Sequence, residues 1–73
     1  MFPTTLELTF VGIDSFSRPV YKSIEGYLYV DVNPQPGSPP EICTKCNNDF
    51  EGEPDWSVPD TTELVFSPSR YVW

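Results

Sequence analysis

The chain contains no histidine, two cysteines, and four lysines and arginines in 73 residues. Each shortage closes a class of function. Without histidine, no Ser–His or Cys–His nucleophile can be assembled within the chain. Two cysteines cannot build the multi-bridge framework of a small secreted domain. The four glycines are scattered, and no G-x-x-x-x-G-K phosphate loop is present. No apolar run approaches the roughly twenty residues of a membrane span. Four cations against eleven acids leave a net charge of −7, which repels phosphate backbones and anionic lipid surfaces. These shortages predict a protein that is not an enzyme and that binds neither nucleic acid nor membrane. The opening "MFPTTLELTF" has no basic segment and no long apolar stretch, which predicts no signal peptide, a cytoplasmic location and reduced thiols.

What the chain does have is proline and aromatic residues. Nine prolines interrupt any long helix, and no segment holds apolar residues at helical spacing over three turns. A core this small is marginal, so Phe, Tyr and Trp, 15% of the residues, must supply much of the burial. Alternation is plain instead. "LELTFVGI" sets Leu6, Leu8 and Phe10 on one face against Glu7, Thr9 and Val11. "DSFS" is a turn in which Asp14 can bond its own backbone. "RPVYKS" reads as a second strand with Pro19 at its start or on an edge, and Gly26 supplies a positive φ at the next turn. In "YLYVDV", Leu28, Val30 and Val32 form the expected core face. Tyr27, Tyr29 and Asp31 lie opposite, an aromatic ledge near Tyr21. "EICTKC" and "TTELVFS" complete the pattern. The expectation is one all-β domain over residues 1–73, an antiparallel meander of about four to five short strands with two long loops. The Pro-rich loop covers 33–40, read as a spacer, and the acidic loop covers 47–60. The tail "RYVW" is expected to pack back onto the body.

Cys43 and Cys46 form a C-x-x-C, a spacing that lets two sulfurs reach one tetrahedral ion. A structural zinc wants four ligands, and the second half of the set is missing. The expected assignment is therefore no metal and no cofactor, with two packed thiols at a strand end. Zinc- or thiol-stabilisation is the alternative. "DFEGEPD" alternates acids as calcium loops do, but its glycine falls at the wrong position and Pro54 stiffens it. Asn47 and Asn48 suit left-handed backbone and Asx turns, so the loop should be ordered, with Phe50 or Trp56 anchoring it. The candidate protein-binding residues are Asp49, Phe50, Glu51, Glu53, Asp55 and Trp56, aromatics rimmed by carboxylates. Their partner is an unspecified protein, and the chain itself is expected to be a monomer or a weak homodimer. A second alternative is an acidic mimic of DNA, which would need its acids arrayed along one face.

The stretches Val11–Lys22 ("VGIDSFSRPVYK"), Gly26–Asn33 ("GYLYVDVN") and Asn47–Asp55 ("NNDFEGEPD") together resemble the large polyvalent protein-associated domains of phage and conjugative-element proteins from gut bacteria. The likeness covers roughly residues 10 to 55. It implies an intracellular accessory module associated with mobile genetic elements, without an assigned reaction. It lends no metal role to Cys43 and Cys46.

Overall fold

The computed structural model describes residues 5–59 and 61–72. Alternation builds the first strand as expected: in β1 (Thr5–Ile13) Leu6, Leu8 and Phe10 turn inward while Thr5, Glu7, Thr9, Val11 and Ile13 are exposed. After the Asp14 turn comes β2 (Pro19–Ser23). Pro19 stands first in it, where a ladder donor can be dispensed with. Gly26 turns the chain at φ 95° into β3 (Leu28–Asp31), and β4 (Ile42–Lys45) follows the proline loop. A short 3-10 turn at Cys46–Asn48 precedes β5 (Pro54–Ser57), and β6 (Glu63–Ser67) comes last. All six strands lie in one sheet of order β5-β4-β3-β2-β1-β6. The fold is small and all-β.

Two features depart from the expected meander. The sheet has six strands rather than four or five, because β5 lies inside the stretch read as an acidic loop. And β6 pairs with β1 in parallel, Leu6 opposite Leu64 and Leu8 opposite Phe66, whereas the other ladders are antiparallel. A parallel neighbour demands a crossover, and residues 58–62 carry the chain from one edge strand to the other. A flat six-stranded sheet would hold its outer strands about 24 Å apart, while the six steps from Ser57 to Glu63 reach at most about 20–22 Å. The sheet must therefore curl.

The curl decides which face is the core. Leu8, Tyr21 and Ile42 form its buried centre, with Leu6, Phe10, Tyr29, Val58, Leu64 and Phe66 packed around them. This is the tyrosine face, so the expected arrangement is reversed for Tyr21 and Tyr29. Tyr21 is fully buried rather than part of an exterior ledge, and Tyr29 is half-buried. The concave side needs volume, and rings supply it. Tyr27 alone of the three stays outside, 58% exposed. The aliphatic face is not open either: Val20 and Val30 are fully buried on the far side, the side on which Phe50 meets Gly12 and Lys45 bonds to Gly52. The chain does fold back after β6. Tyr71 stacks on Phe10 with ring centroids 3.9 Å apart, and its N–H donates to the Tyr21 hydroxyl over 3.0 Å; Trp73 lies outside the described residues. Burial raises the Tyr21 pKa, so the phenol stays neutral and free to accept that bond. Among the described residues no helix is long and apolar enough to cross a membrane.

Tyr21→Phe keeps the ring packing but strands the Tyr71 N–H. It should lower unfolding free energy by about 1 kcal/mol, read as a shift of the urea midpoint at unchanged slope.

Candidate functional site

The segment that carries most of the candidate protein-binding residues is held in place by a buried ion pair. Lys45 points from β4 to the face of Cys43 and Val30, and its Nζ sits 2.7 Å from Asp14 Oδ2 with both side chains fully buried. The same ammonium donates to the Gly52 carbonyl over 3.1 Å. Asp14 Oδ1 accepts the N–H groups of Phe16 and Arg18, and Arg18 Nε donates to Oδ2. Arg18 Nη2 lies 3.0 Å from that oxygen but is not aligned to donate to it. One carboxylate thus ties the β1–β2 turn, β4 and the acidic segment together. Burial pushes the Asp14 pKa up, but the hydrogen bonds from Lys45 and the backbone of Arg18 and Phe16 outweigh it, and the group lies below the ordinary 3.8.

Further ties fix residues 46–53. Asn47 and Asn48 adopt left-handed φ of 57° and 52°, as their sequence suggests. Asn48 then reaches back to the β2–β3 turn, accepting from Leu28 N–H and donating to the Gly26 carbonyl. Asp49 accepts from Glu51 N–H, and Glu51 accepts from both the backbone and the hydroxyl of Ser15. Gly52 has no room for a side chain, since a Cβ there would run into the Cys46 carbonyl oxygen. Phe50 presses on Gly12, where a Cβ would meet its ring at 3.1 Å. Glu53 and Asp55 are exposed.

The structure does not bring Phe50 and Trp56 together. Phe50 is half-buried against Gly12, which pairs with Val20. Trp56 stands on edge strand β5 beside Thr44, which faces with Tyr29, and is 75% exposed. Phe50 is the anchor of the loop, and Trp56 belongs to another surface. That surface has two shallow depressions that share Tyr29 and Thr44. One, about 380 Å³, is bounded by Tyr27, Lys45 and Asn48. The other, about 240 Å³, is bounded by Leu6, Trp56 and Val58. Together they make a continuous aromatic strip across β3, β4 and β5. Tyrosine alternation in β3 is a local pattern, but the pairing of β5 with β4 that joins Tyr29 to Trp56 is not.

Cys43 is buried with its Sγ 3.8 Å from Ser57 Oγ; Cys46 is half-buried, and both are free thiols. Among the described residues no three His, Cys, Asp or Glu side chains converge as a metal site. Asp60 lies outside those residues. A second buried carboxylate, Asp31, was also missed. It accepts from Arg70 Nε at 3.2 Å, while Arg70 donates to the Asn33 and Ser38 carbonyls and so pins the proline loop. The signal was present in outline. A lysine on the inward face of "ICTK", or an acid inside "LYVD", must find an opposite charge.

No family model matches the chain, and no solved structure matches it. A stretch of 37 residues is 46% identical to sulfhydryl oxidase 1 of Cavia porcellus; it takes in 47% of this chain and 6% of that protein.

Asp14→Asn removes the charge that Lys45 is buried against. It should cost about 3–5 kcal/mol, the usual range when one partner of a buried pair is removed. Because Asp14 has a lowered pKa in the folded protein, its contribution is fully present above the unfolded-state value and is lost as pH falls through the folded one. Wild-type stability should therefore decline below the ordinary 3.8, and the variant's curve should be flatter there. Denaturant midpoints measured from neutral to acid pH check both.

Proposed function

We propose that this protein is a small non-catalytic binding module whose working surface is the strip formed by Tyr27, Tyr29 and Trp56. The observation that carries this reading is the exposure of Trp56, a large aromatic left 75% accessible next to half-buried apolar neighbours, on a domain small enough to need every ring it has. Exposed aromatics of this kind are common anchors of protein interfaces. The clamped 46–53 segment borders the strip through Asn48, while Asp49, Glu51, Glu53 and Asp55 are exposed outside its lining. The resemblance of Val11–Lys22, Gly26–Asn33 and Asn47–Asp55 to domains of phage and conjugative-element proteins supports a mobile-element setting and a cytoplasmic location for such an accessory module.

The DNA-mimic alternative has less in its favour. Among the described residues the exposed acids come from β1, the β2–β3 turn, Glu41 just before β4, the 46–55 stretch and β6, and two of the eleven, Asp14 and Asp31, are buried in ion pairs. Affinity capture from the host with wild type and Trp56→Ala tests the main reading. The partner should be recovered by wild type and lost with the variant, whose circular dichroism should be unchanged. Equal recovery would remove the strip from consideration.

A thiol- or metal-stabilised domain is the second reading, supported by Cys43, Cys46 and the partial likeness to a sulfhydryl oxidase. Metal analysis of protein purified without added zinc separates the two. The binding-module reading expects no bound metal and two thiols that react on unfolding. Stoichiometric zinc with loss of fold in chelator would establish the other.

A further inference from the structure

The formal charge understates how one-sided the surface is. Of the four side-chain cations, Lys45 is fully buried on Asp14, while Arg18 and Arg70 are held against Asp14 and Asp31 with side chains 18% and 19% exposed. Among the described residues Lys22 is the one exposed cation, facing eight exposed acids. The aromatic strip therefore opens into a net negative field, relieved at its Tyr27 end by Lys22, whose stem lies beside Gly26. Glu25 sits at its Tyr27 end. It is close enough to Tyr29 that, after burial, its charge is the next cause of that hydroxyl's raised pKa.

The strip crosses three strands spaced about 4.8 Å apart, a length of about 10–15 Å that suits roughly four residues of extended peptide. Tyr27 and Trp56 stand proud at 58% and 75% exposure, and Leu6, Tyr29 and Val58 lie lower between and beside them. Resting on the reading of this strip as the binding surface, we propose that its occupant is an extended peptide segment bearing arginine or lysine, with the cations over the Tyr27 and Trp56 rings and toward Glu25, and the aliphatic stems on Tyr29 and Leu6. The chemistry selects this occupant. A cation over an aromatic face gains from the ring quadrupole, and a long basic side chain lays its stem on apolar ground while its head stays in the negative field. Nucleic acid and anionic lipid are repelled by the same field, and a second copy of this chain brings a surface of the same sign.

Fluorescence anisotropy with two labelled nonapeptides tests it, one of Arg-Pro-Leu repeats and one of Glu-Pro-Leu repeats. The arginine peptide should bind, and binding should weaken as salt is raised. Trp56→Ala should weaken it at least about 10-fold, an effect of the size expected for an interface anchor, and Glu25→Gln about 3-fold, as for a rim charge. The glutamate peptide should not bind. Tyr27→Ala, at a second exposed position, gives the same readout if Trp56→Ala alters the circular dichroism. Equal affinity of wild type and the aromatic variants overturns the proposal in favour of diffuse attraction to acidic surface. Equal binding of both peptides, or failure of the arginine peptide to bind, overturns the charge chemistry. If Trp56-dependent capture of a host partner persists in that case, the strip stands as the binding surface and only its partner's chemistry has been misassigned.

Discussion

The contact between Asp14 and Lys45 organises this molecule. A lysine and an aspartate taken fully out of water are tolerated only when each satisfies the other and the remaining hydrogen-bonding positions are filled. Here they are filled by Gly52, Phe16 and Arg18. The pair joins the β1–β2 turn to β4 and, through Gly52, to the segment after the 3-10 turn. The same segment is tied at three further points: Phe50 meets Gly12, Glu51 accepts from Ser15, and Asn48 bonds to the β2–β3 turn. Val20 and Val30 are buried on this second face of the sheet, as Tyr21 is on the first.

Much of the fold was legible in the alternation of "LELTF", "LYVD" and "ELVFS", since period-2 patterning is a local property. The same holds for the left-handed asparagines and for the turn built on Asp14, whose side chain bonds to backbone within four residues. What was not legible is set by long-range pairing. The tyrosine face of β3 looks like a ledge until β6 returns parallel to β1 and curls the sheet around it. Pro54–Ser57 looks like loop because a strand containing proline and aspartate carries little propensity of its own; it is a strand because β4 offers an edge. The candidate site was half visible for the same reason. Phe50 and Trp56 are six residues apart yet serve opposite sides of the sheet.

The two buried carboxylates also divide the chain's ionic groups into an inner and an outer set. Inside, Asp14 and Asp31 draw in the two arginines and one lysine. Outside, acids dominate. The strip of Tyr27, Tyr29 and Trp56 is where apolar surface meets this outer set, and the combination defines a recognition chemistry more narrowly than either part alone.

The parallel pairing of β1 with β6 carries a consequence for how the chain acquires its structure. Leu6 and Leu8 cannot be enclosed until Leu64 and Phe66 arrive, so β1 waits for β6. Contacts of such sequence separation are slow to form, because loop closure precedes any gain from packing. No earlier hairpin has a concave face to close on, since the curl that creates it is imposed by the 58–62 crossover. A nascent chain halted before β6 presents an open hydrophobic sheet, the kind of surface that chaperones hold and proteases find.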